Sequence, residues 1–459
     1  MGQVKSRRRG LTKSKANTDE KSNYDKTGKK TKDNPACIND ILVDDVLLKI
    51  FSFLTVFEKL TVSRTCKRWH NLIKESHLWQ TVDFWNSSTL LKDSRSRDIP
   101  KEGIDVDANS ALRILQSYTD SLLKRVYLRA SNLALMRYLS NNCPNLQTLS
   151  LLSSEQDIPY CDVDINDYFN ETHFALPLTL EHLQLSFSAV MLGSSESSEF
   201  KMLTMMQFKH TVLPNIIKCQ HLRHITLKMC NGISVEDVEI LTSGLPKLQE
   251  IWMLTFATYP DSTETLEEIL RRIVHNLPDL TSLRFMPVNR SFSGYGDHPP
   301  SYDIDYLLQD LSKRSHLREL RVRDAVFSPE AFASMTRAQE KMEELVLWNC
   351  NCVTDDIMKI IARDLPSLKI LELPFSRPYT DRGLKALNHH PSLHTLNVFR
   401  SMLDVSFQAL STEVIFDTLL TLPNLEQAGG LHWQSLDADF PQYVEKLRVT
   451  KPNIRIEMS

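Results

Sequence analysis

The chain has 459 residues, 42% of them hydrophobic and 24% charged, with a formal net charge of -3. That length exceeds what one compact domain usually needs and implies several domains or a repeat array that grows by stacking. The near-neutral balance excludes a global attraction to nucleic acid, and no apolar run reaches the roughly 18 residues of a membrane-spanning helix. The basic start lacks the apolar stretch of a secretory signal, so the expected setting is the cytosol or nucleus.

Eight cysteines stand apart without a C-x-x-C pair, which argues against a zinc ribbon or a disulfide framework and for free thiols. Twelve glycines form neither G-x-x-x-x-G-K-[ST] nor G-x-G-x-x-G, so a phosphate-cradling loop is missing. No cofactor is implied.

Residues 1–35 carry eleven Lys/Arg against four Asp/Glu and almost no large apolar side chains, the composition of a disordered basic tail. Lys5, Arg7, Arg8 and Arg9, with Lys29, Lys30 and Lys32, suit nuclear import or nucleic-acid contact. Met1-Gly2-Gln3-Val4-Lys5-Ser6 also fits M-G-x-x-x-[ST], making Gly2 a candidate for myristoylation with a polybasic patch as the second membrane signal. A solvated tail is the plain alternative.

From 38 to 85 the apolar spacing turns helical. Val46, Leu47, Ile50, Phe51 and Leu54 recur at three and four, on a helix that Asp44 is placed to cap. Thr55-Val56-Phe57-Glu58 has the form of a capping box, and Trp69, Leu72, Ile73, Leu78 and Trp79 make a third apolar set. So small a core stands poorly alone, which favours an apolar partner.

Leu42, Leu47, Ile50-Phe51, Leu54, Leu60, Val62-Ser63, Cys66, Arg68-Trp69, Leu72 and Leu78-Trp79 resemble the F-box motif over its whole length. The departure is Val43, where that family commonly has proline, so weaker docking is expected. The resemblance implies docking of a Skp-type adaptor, joined to a cullin scaffold and a RING subunit, with Leu42, Ile50, Phe51, Leu54 and Trp69 as contacts. It also implies that Cys66 is a core cysteine.

After a linker at 86–110, residues 111–459 repeat. L-x-x-L-x-L and its relatives begin at Leu123, Leu146, Leu180, Leu222, Leu248, Leu280, Leu317, Met342, Leu368 and Leu393, with a degraded copy at Leu425. Several intervals are 23 to 26 residues, within the leucine-rich-repeat range. Pro144, Pro246, Pro278, Pro366, Pro391, Pro423 and Pro452 precede strands, and helical patterns at 235–241, 266–274, 304–311 and 356–363 lie between them. The expected fold class is α/β: a three-helix F-box followed by a horseshoe of about eleven repeats, with parallel strands on its concave face and helices on its convex face. Longer gaps at 152–179, 187–198, 255–264 and 286–303 are expected as inserted rim loops. The pattern as a whole resembles the F-box/leucine-rich-repeat family.

In L-x-x-L-x-L the leucines point inward and the residues among them face the concave wall. That face is expected to present Arg125, Tyr127, Arg129, His224, Lys228, Trp252, Arg284, Glu319, Arg321, Arg323, Trp348, Thr395, Asn397 and Phe399. Tyr127, Trp252, Trp348 and Phe399 are candidate anchors, and Arg284, Arg321 and Arg323 a candidate basic patch for a carboxylate or phosphoserine. The opposing reading is a wall partly neutralised by Glu319 and Glu344.

Catalytic signals are missing. Asp44-Asp45 and Asp355-Asp356 are adjacent, which does not converge two carboxylates on a helix and suits capping. His221-x-x-His224 and His389-His390 lack a carboxylate or cysteine arranged for a metal. The sequence therefore reads as a non-catalytic substrate-recognition subunit of an SCF-type ubiquitin ligase, holding a protein substrate on the repeats for ubiquitination and proteasomal degradation. The alternative is a repeat scaffold without a ligase role, anchored to membrane through its N-terminus. Neither the substrate nor a DNA partner is indicated.

Overall fold

The computed structural model of the chain describes residues 38–84, 106–119, 121–128, 133–151, 176–186, 212–231, 233–257, 263–289, 301–376, 378–398, 410–431 and 440–458. The expected tail with Gly2, and Arg129, Phe399 and most of the expected inserts at 152–179 and 187–198, lie outside those residues. The chain divides into two compact units, Met1–Ser52 and Phe53–Ser459.

The first unit contains helices α1 (Ile38–Ile41) and α2 (Asp44–Ser52). Leu47 and Phe51, four apart, are buried, whereas Val46 and Ile50 are each 44% exposed. Asp44 is not the cap expected of it: it lies within the first turn beside Asp45, where both carboxylates meet the positive end of the helix dipole.

The second unit opens with α3 (Val56–Val62), α4 (Lys67–Ile73) and a 3-10 turn at Ser76–Trp79. The capping box forms as expected, with the Thr55 N–H donating to Glu58 Oε2 at 2.8 Å and the Glu58 N–H to Thr55 Oγ1 at 3.3 Å. Cys66 corrects the reading as a core cysteine. It is a half-buried cap whose Sγ accepts the Trp69 N–H at 3.5 Å, because a thiol is small enough to turn back onto the first turn. Trp79 is fully buried, donates from Nε1 to the Ile73 carbonyl at 2.6 Å and stacks on Tyr118 at 4.7 Å. Lys59 donates to the Leu78 carbonyl at 2.7 Å with its ammonium 5.4 Å from the Trp79 ring, and burial pushes its pKa down.

The strands are β1 (Thr81–Asp83), β2 (Arg125–Tyr127), β3 (Thr148–Leu151), β4 (His182–Ser186), β5 (His224–Asn231), β6 (Glu250–Ala257), β7 (Ser282–Asn289), β8 (Tyr302–Asp303), β9 (Glu319–Arg323), β10 (Ala325–Val326), β11 (Glu344–Trp348), β12 (Ile370–Glu372), β13 (Thr395–Asn397), β14 (Gln427–Leu431) and β15 (Arg455–Met458). All but β8 and β10 form one 13-stranded sheet in chain order, with every described pairing parallel. Tyr302–Asp303 and Ala325–Val326 pair separately. Each of the eleven repeats read from the sequence gives a strand beginning two residues after its first leucine or methionine.

Between strands run α5 (Ala108–Tyr118), α6 (Leu133–Asn142), α7 (Leu213–Ile216), α8 (Val235–Gly244), α9 (Thr263–Asn276), α10 (Asp305–Leu311), α11 (Pro329–Ala338), α12 (Asp355–Asp364), α13 (Asp381–Lys385), α14 (Thr412–Thr421) and α15 (Phe440–Thr450). Consecutive helices from α8 to α14 pack against one another. Val126, Leu149, Leu183, Ile225, Ile251, Leu283, Leu320, Leu345, Leu371 and Leu396 occupy one register row and are all 2% exposed or less. Each such leucine contributes about 1.5–3 kcal/mol by leaving water. The carbonyl before each strand ties repeats together: Lys124 O accepts from the N–H groups of Gln147 and Thr148 at 2.8 and 3.0 Å, and Arg223 O from Gln249 and Glu250 at 2.8 and 3.0 Å.

Three boundaries differ from expectation. Thr81–Asp83, assigned from sequence to the helical module, is already the first strand, in register with Arg125–Tyr127. The linker at 86–110 ends earlier, because Asp107 accepts the N–H groups of Asn109 and Ser110 at 2.8 and 2.9 Å and starts α5 at Ala108. The inserts at 255–264 and 286–303 are shorter than expected: β6 continues to Ala257, β7 to Asn289, and Tyr302 is fully buried against Phe285 at 6.0 Å. Parallel pairing extends both strands beyond the leucine motif: β6 between β5 and β7, and β7 past Phe285 along β6.

Candidate functional site: the rows flanking the leucines of the parallel sheet

Alternation along each strand leaves two rows flanking the buried leucines. Thr148, His182, His224, Glu250, Ser282 and Glu319 stand in register on one, and Ser150, Gln184, Thr226, Trp252, Arg284 and Arg321 on the other. Half-buried Tyr127 joins the second row from β2.

Trp252 carries the Lys228 ammonium 4.1 Å and the Arg284 guanidinium 5.0 Å from its ring centroid. Arg284 Nε lies 2.5 Å and Arg321 Nε 2.7 Å from the same oxygen, Glu319 Oε1, while Ser282 Oγ donates to Glu319 Oε2 at 2.6 Å. Arg321 also contacts Glu344 on β11. Burial would raise the Glu319 pKa, but the Arg284 charge, the Ser282 hydroxyl and Arg321 hold it below the ordinary range. Glu344 touches the same guanidinium yet moves the other way. Its burial pushes it up to about 7, outweighing the attraction of Arg321 and of Arg284, and Glu319 repels it.

Arg323 lies with Nε 3.4 Å from Asp324 Oδ2 and its guanidinium 5.4 Å from the Trp348 ring centroid. The expected patch of Arg284, Arg321 and Arg323 is therefore an ion-paired ladder, as the opposing reading had it: Arg284 and Arg321 reach carboxylates on neighbouring strands, and Arg321 and Arg323 also reach ones on or beside their own. Trp348 is half-buried, with Phe375 at 5.9 Å. Sequence reasoning missed Phe375. It holds φ 58, a left-handed conformation that is strained for an aromatic residue and places its ring beside Trp348. Asp324 and Asn349 adopt the same conformation after β9 and β11, and Asn349 Nδ2 donates to Asp324 Oδ1 at 2.5 Å.

A second cluster also escaped the sequence. His182 and His224 stack at 4.0 Å with an 11° interplanar angle, and His224 Nδ1 lies 2.7 Å from Glu250 Oε2. Glu250 thus attends His224 as a single carboxylate, a pair that the sequence reading did not name. The partner comes from the next repeat, and aligning repeats two residues past their first leucine would have found it. Burial, then the neighbouring His224, lowers the His182 pKa. Among the described residues no group of three His, Cys, Asp or Glu side chains suits a metal ion, and no helix is long and apolar enough to cross a membrane. Cys143 and Cys219 are fully buried, each with its carbonyl accepting the N–H of the leucine three residues on, and burial pushes the Cys219 thiol up to about 12.

Of the expected adaptor contacts, Ile50 is exposed and Leu42, Leu54 and Trp69 are half-buried. Phe51, at 2% exposed, corrects that set: it is core, because it lies four residues from Leu47 on the inward stripe of α2. Ile41 and Val43, each 63% exposed, and Phe53, 70% exposed, are apolar surface that the sequence reading did not include.

A model of the F-box-like family matches residues 44–85. F-box/LRR-repeat protein 12 of Bos taurus is 30% identical over 130 residues, spanning 25% of this chain and 40% of that protein. The Homo sapiens protein is 35% identical over 116 residues, spanning 24% and 32%, and the Mus musculus protein 27% identical over 259 residues, spanning 53% and 70%. The chain thus spans less than half the length of the first two of these relatives. A chain of the crystal structure of the Rad7 and Elc1 complex in yeast matches over 92% of this chain and 98% of that one, at 12% identity and a TM-score of 0.38. The protein joins an F-box-like domain to a leucine-rich-repeat type of parallel sheet and is related in sequence to F-box/LRR-repeat protein 12.

Proposed function

We propose that the protein is a non-catalytic substrate receptor of an SCF-type ubiquitin ligase. The F-box-like residues 44–85 take the Skp-type adaptor, and through it a cullin scaffold and RING subunit. The two rows flanking the leucines of the sheet take a protein substrate, presented for ubiquitination and proteasomal degradation. The observation that carries the reading is one chain in which an F-box-like match is followed by a 13-stranded parallel sheet. A rigid sheet displaying Trp252 and Trp348 suits a receptor, since aromatic side chains anchor interfaces at little entropic cost. Catalysis in such an assembly is proximity: substrate lysines are held near a charged enzyme supplied by another subunit. A cytosolic or nuclear setting belongs to the same proposal.

Affinity capture of the wild type beside an Ile50→Ala/Trp69→Ala variant, with bound proteins identified, tests this. Adaptor and cullin recovered with the wild type and lost with a variant of unchanged melting temperature support it. Their absence from the wild-type capture replaces it with a repeat scaffold without a ligase role.

A further inference from the structure

The rows leading into β2–β5 differ from the rest of the sheet in how their charges are matched. Lys124, Arg125 and Arg223 are exposed, and no side-chain hydrogen bond or ion pair holds them among the described residues. On and just before β7, β9 and β12 the cations are partnered: Arg284 and Arg321 by Glu319, Arg318 and Lys369 by Glu343. Within β2–β5 and the residues just before them the one carboxylate is Glu181, which accepts from Gln147 Nε2 at 3.2 Å. On the two flanking strands the carboxylates are Asp83 on β1, in register with Tyr127, and Glu250 on β6, which is taken by His224.

We propose that the N-terminal ends of β2 to β5 are a docking surface for an extended acidic polypeptide segment, its carboxylates received by Lys124, Arg125, Arg223 and the stacked His182–His224 pair. This rests on the receptor reading above, since it names the chemistry of what the repeats hold. Charge complementarity favours an anion here and disfavours one at the arginine ladder, which is already matched. The spread of the cations selects the kind of anion. Three strand spacings separate Lys124 and Arg125 from Arg223, about 14 Å. One phosphoryl group does not bridge that span, whereas Asp or Glu side chains along an extended segment crossing the strands do.

The histidines add pH sensitivity. His182, partly desolvated and stacked on His224 at 4.0 Å, resists protonation, and it faces Arg125 and His224 as repelling charges with Glu181 and Glu250 as attracting ones. A bound carboxylate supplies the missing counter-charge, so the segment binds with proton uptake and binds more tightly as pH falls.

The test is fluorescence anisotropy with full-length protein and three labelled decapeptides: alternating Ser and Glu, alternating Ser and Gln, and the Ser/Gln peptide with one phosphoserine. The Glu peptide is expected to bind roughly tenfold more tightly than the Gln peptide at low salt, with the advantage shrinking as salt is added. Arg125→Ala/Arg223→Ala removes that advantage, Arg125→Lys/Arg223→Lys keeps it, and Lys341→Ala/Lys385→Ala, far along the chain, leaves it intact. Affinity for the Glu peptide rises from pH 8 to pH 6 in the wild type and stays flat in His182→Gln/His224→Gln. Equal binding of Glu and Gln peptides, preference for the phosphoserine peptide over the Glu peptide, or an unchanged Arg125→Ala/Arg223→Ala variant overturns the proposal. Adaptor capture with the same preparations reports the receptor reading separately: adaptor binding without Glu preference sinks this inference alone.

Discussion

The Glu319 carboxylate on β9 lies 2.5 Å from the Arg284 guanidinium on β7, in a pair whose side chains are only 12% and 22% exposed. Because Arg321 shares the same oxygen, Glu319 is the hub of the ladder. Replacing it takes the carboxylate from Arg284 and leaves Arg321 with Glu344 alone, in a site where water screens little. Glu319→Gln is expected to cost about 3 kcal/mol, read as a lowered urea midpoint, the usual scale for removing one partner of a largely buried ion pair.

Glu344 is the contrasting case. With its folded pKa raised to about 7, the folded state binds a proton more readily than the unfolded chain does. Its contribution is therefore fully present below the ordinary carboxylate range, declines as pH rises toward about 7, and is gone above it. Glu344→Gln should remove that decline and cost less than about 1 kcal/mol at pH 8. Urea midpoints at pH 5 and pH 8 check this; equal losses for the Glu319 and Glu344 variants at pH 8 would show that the two carboxylates are not divided as described.

His390 predicts the opposite pH dependence. It is 3% exposed, its Nε2 lies 3.0 Å from the Leu365 carbonyl, and its Nδ1 accepts the Ser392 N–H at 3.4 Å, an arrangement for the neutral ring protonated on Nε2. Burial lowers its pKa. The depressed folded value means that stability is full above the ordinary histidine range and falls as pH drops toward the folded pKa. Melting temperature between pH 7.5 and pH 5 should fall less steeply in His390→Gln than in the wild type, once the lower starting point of the variant is subtracted. Parallel slopes contradict this.

Two local substitutions test the turns. Thr55→Ala removes the Oγ1 that accepts the Glu58 N–H and donates to Glu58 Oε2, leaves the backbone N–H of residue 55 on that carboxylate, and should cost about 1 kcal/mol, read by urea denaturation. Gly383→Ala places a methyl group against the Asp355 carboxylate and 3.1 Å from its Cα, where that carboxylate also accepts the Thr380 N–H at 2.7 Å. The variant is expected to melt several degrees lower, since overpacking of this kind costs about 1–3 kcal/mol. An unchanged melting curve would show that α13 shifts freely.

The repeats were legible because each unit buries the same leucine positions, and burial is what a period of hydrophobic residues reports. Strands therefore began two residues after each predicted start, even at the degraded copy Leu425. β1 escaped because Thr81-Val82-Asp83 is too short to show a period and becomes a strand only through its partner Arg125–Tyr127. The lengths of β6 and β7 escaped for the same reason: pairing, not local pattern, extends them. Side-chain partners crossing repeats were hardest to foresee. Composition left the arginines open between a basic patch and a wall neutralised by Glu319 and Glu344, which register decides for the second, and Phe375 carried no signal because a left-handed φ is expected of glycine or asparagine.

The most direct measurement is calorimetric titration of a purified Skp-type adaptor into the full-length protein and into Ile50→Asp. Ile50 is exposed, so aspartate there should spare the fold while placing a charge on the apolar surface that docking requires. The account predicts one-to-one binding by the wild type, weakened at least about tenfold in a variant with an unchanged melting temperature. A wild type that does not bind the adaptor, or an Ile50→Asp protein that binds it equally well, would contradict it.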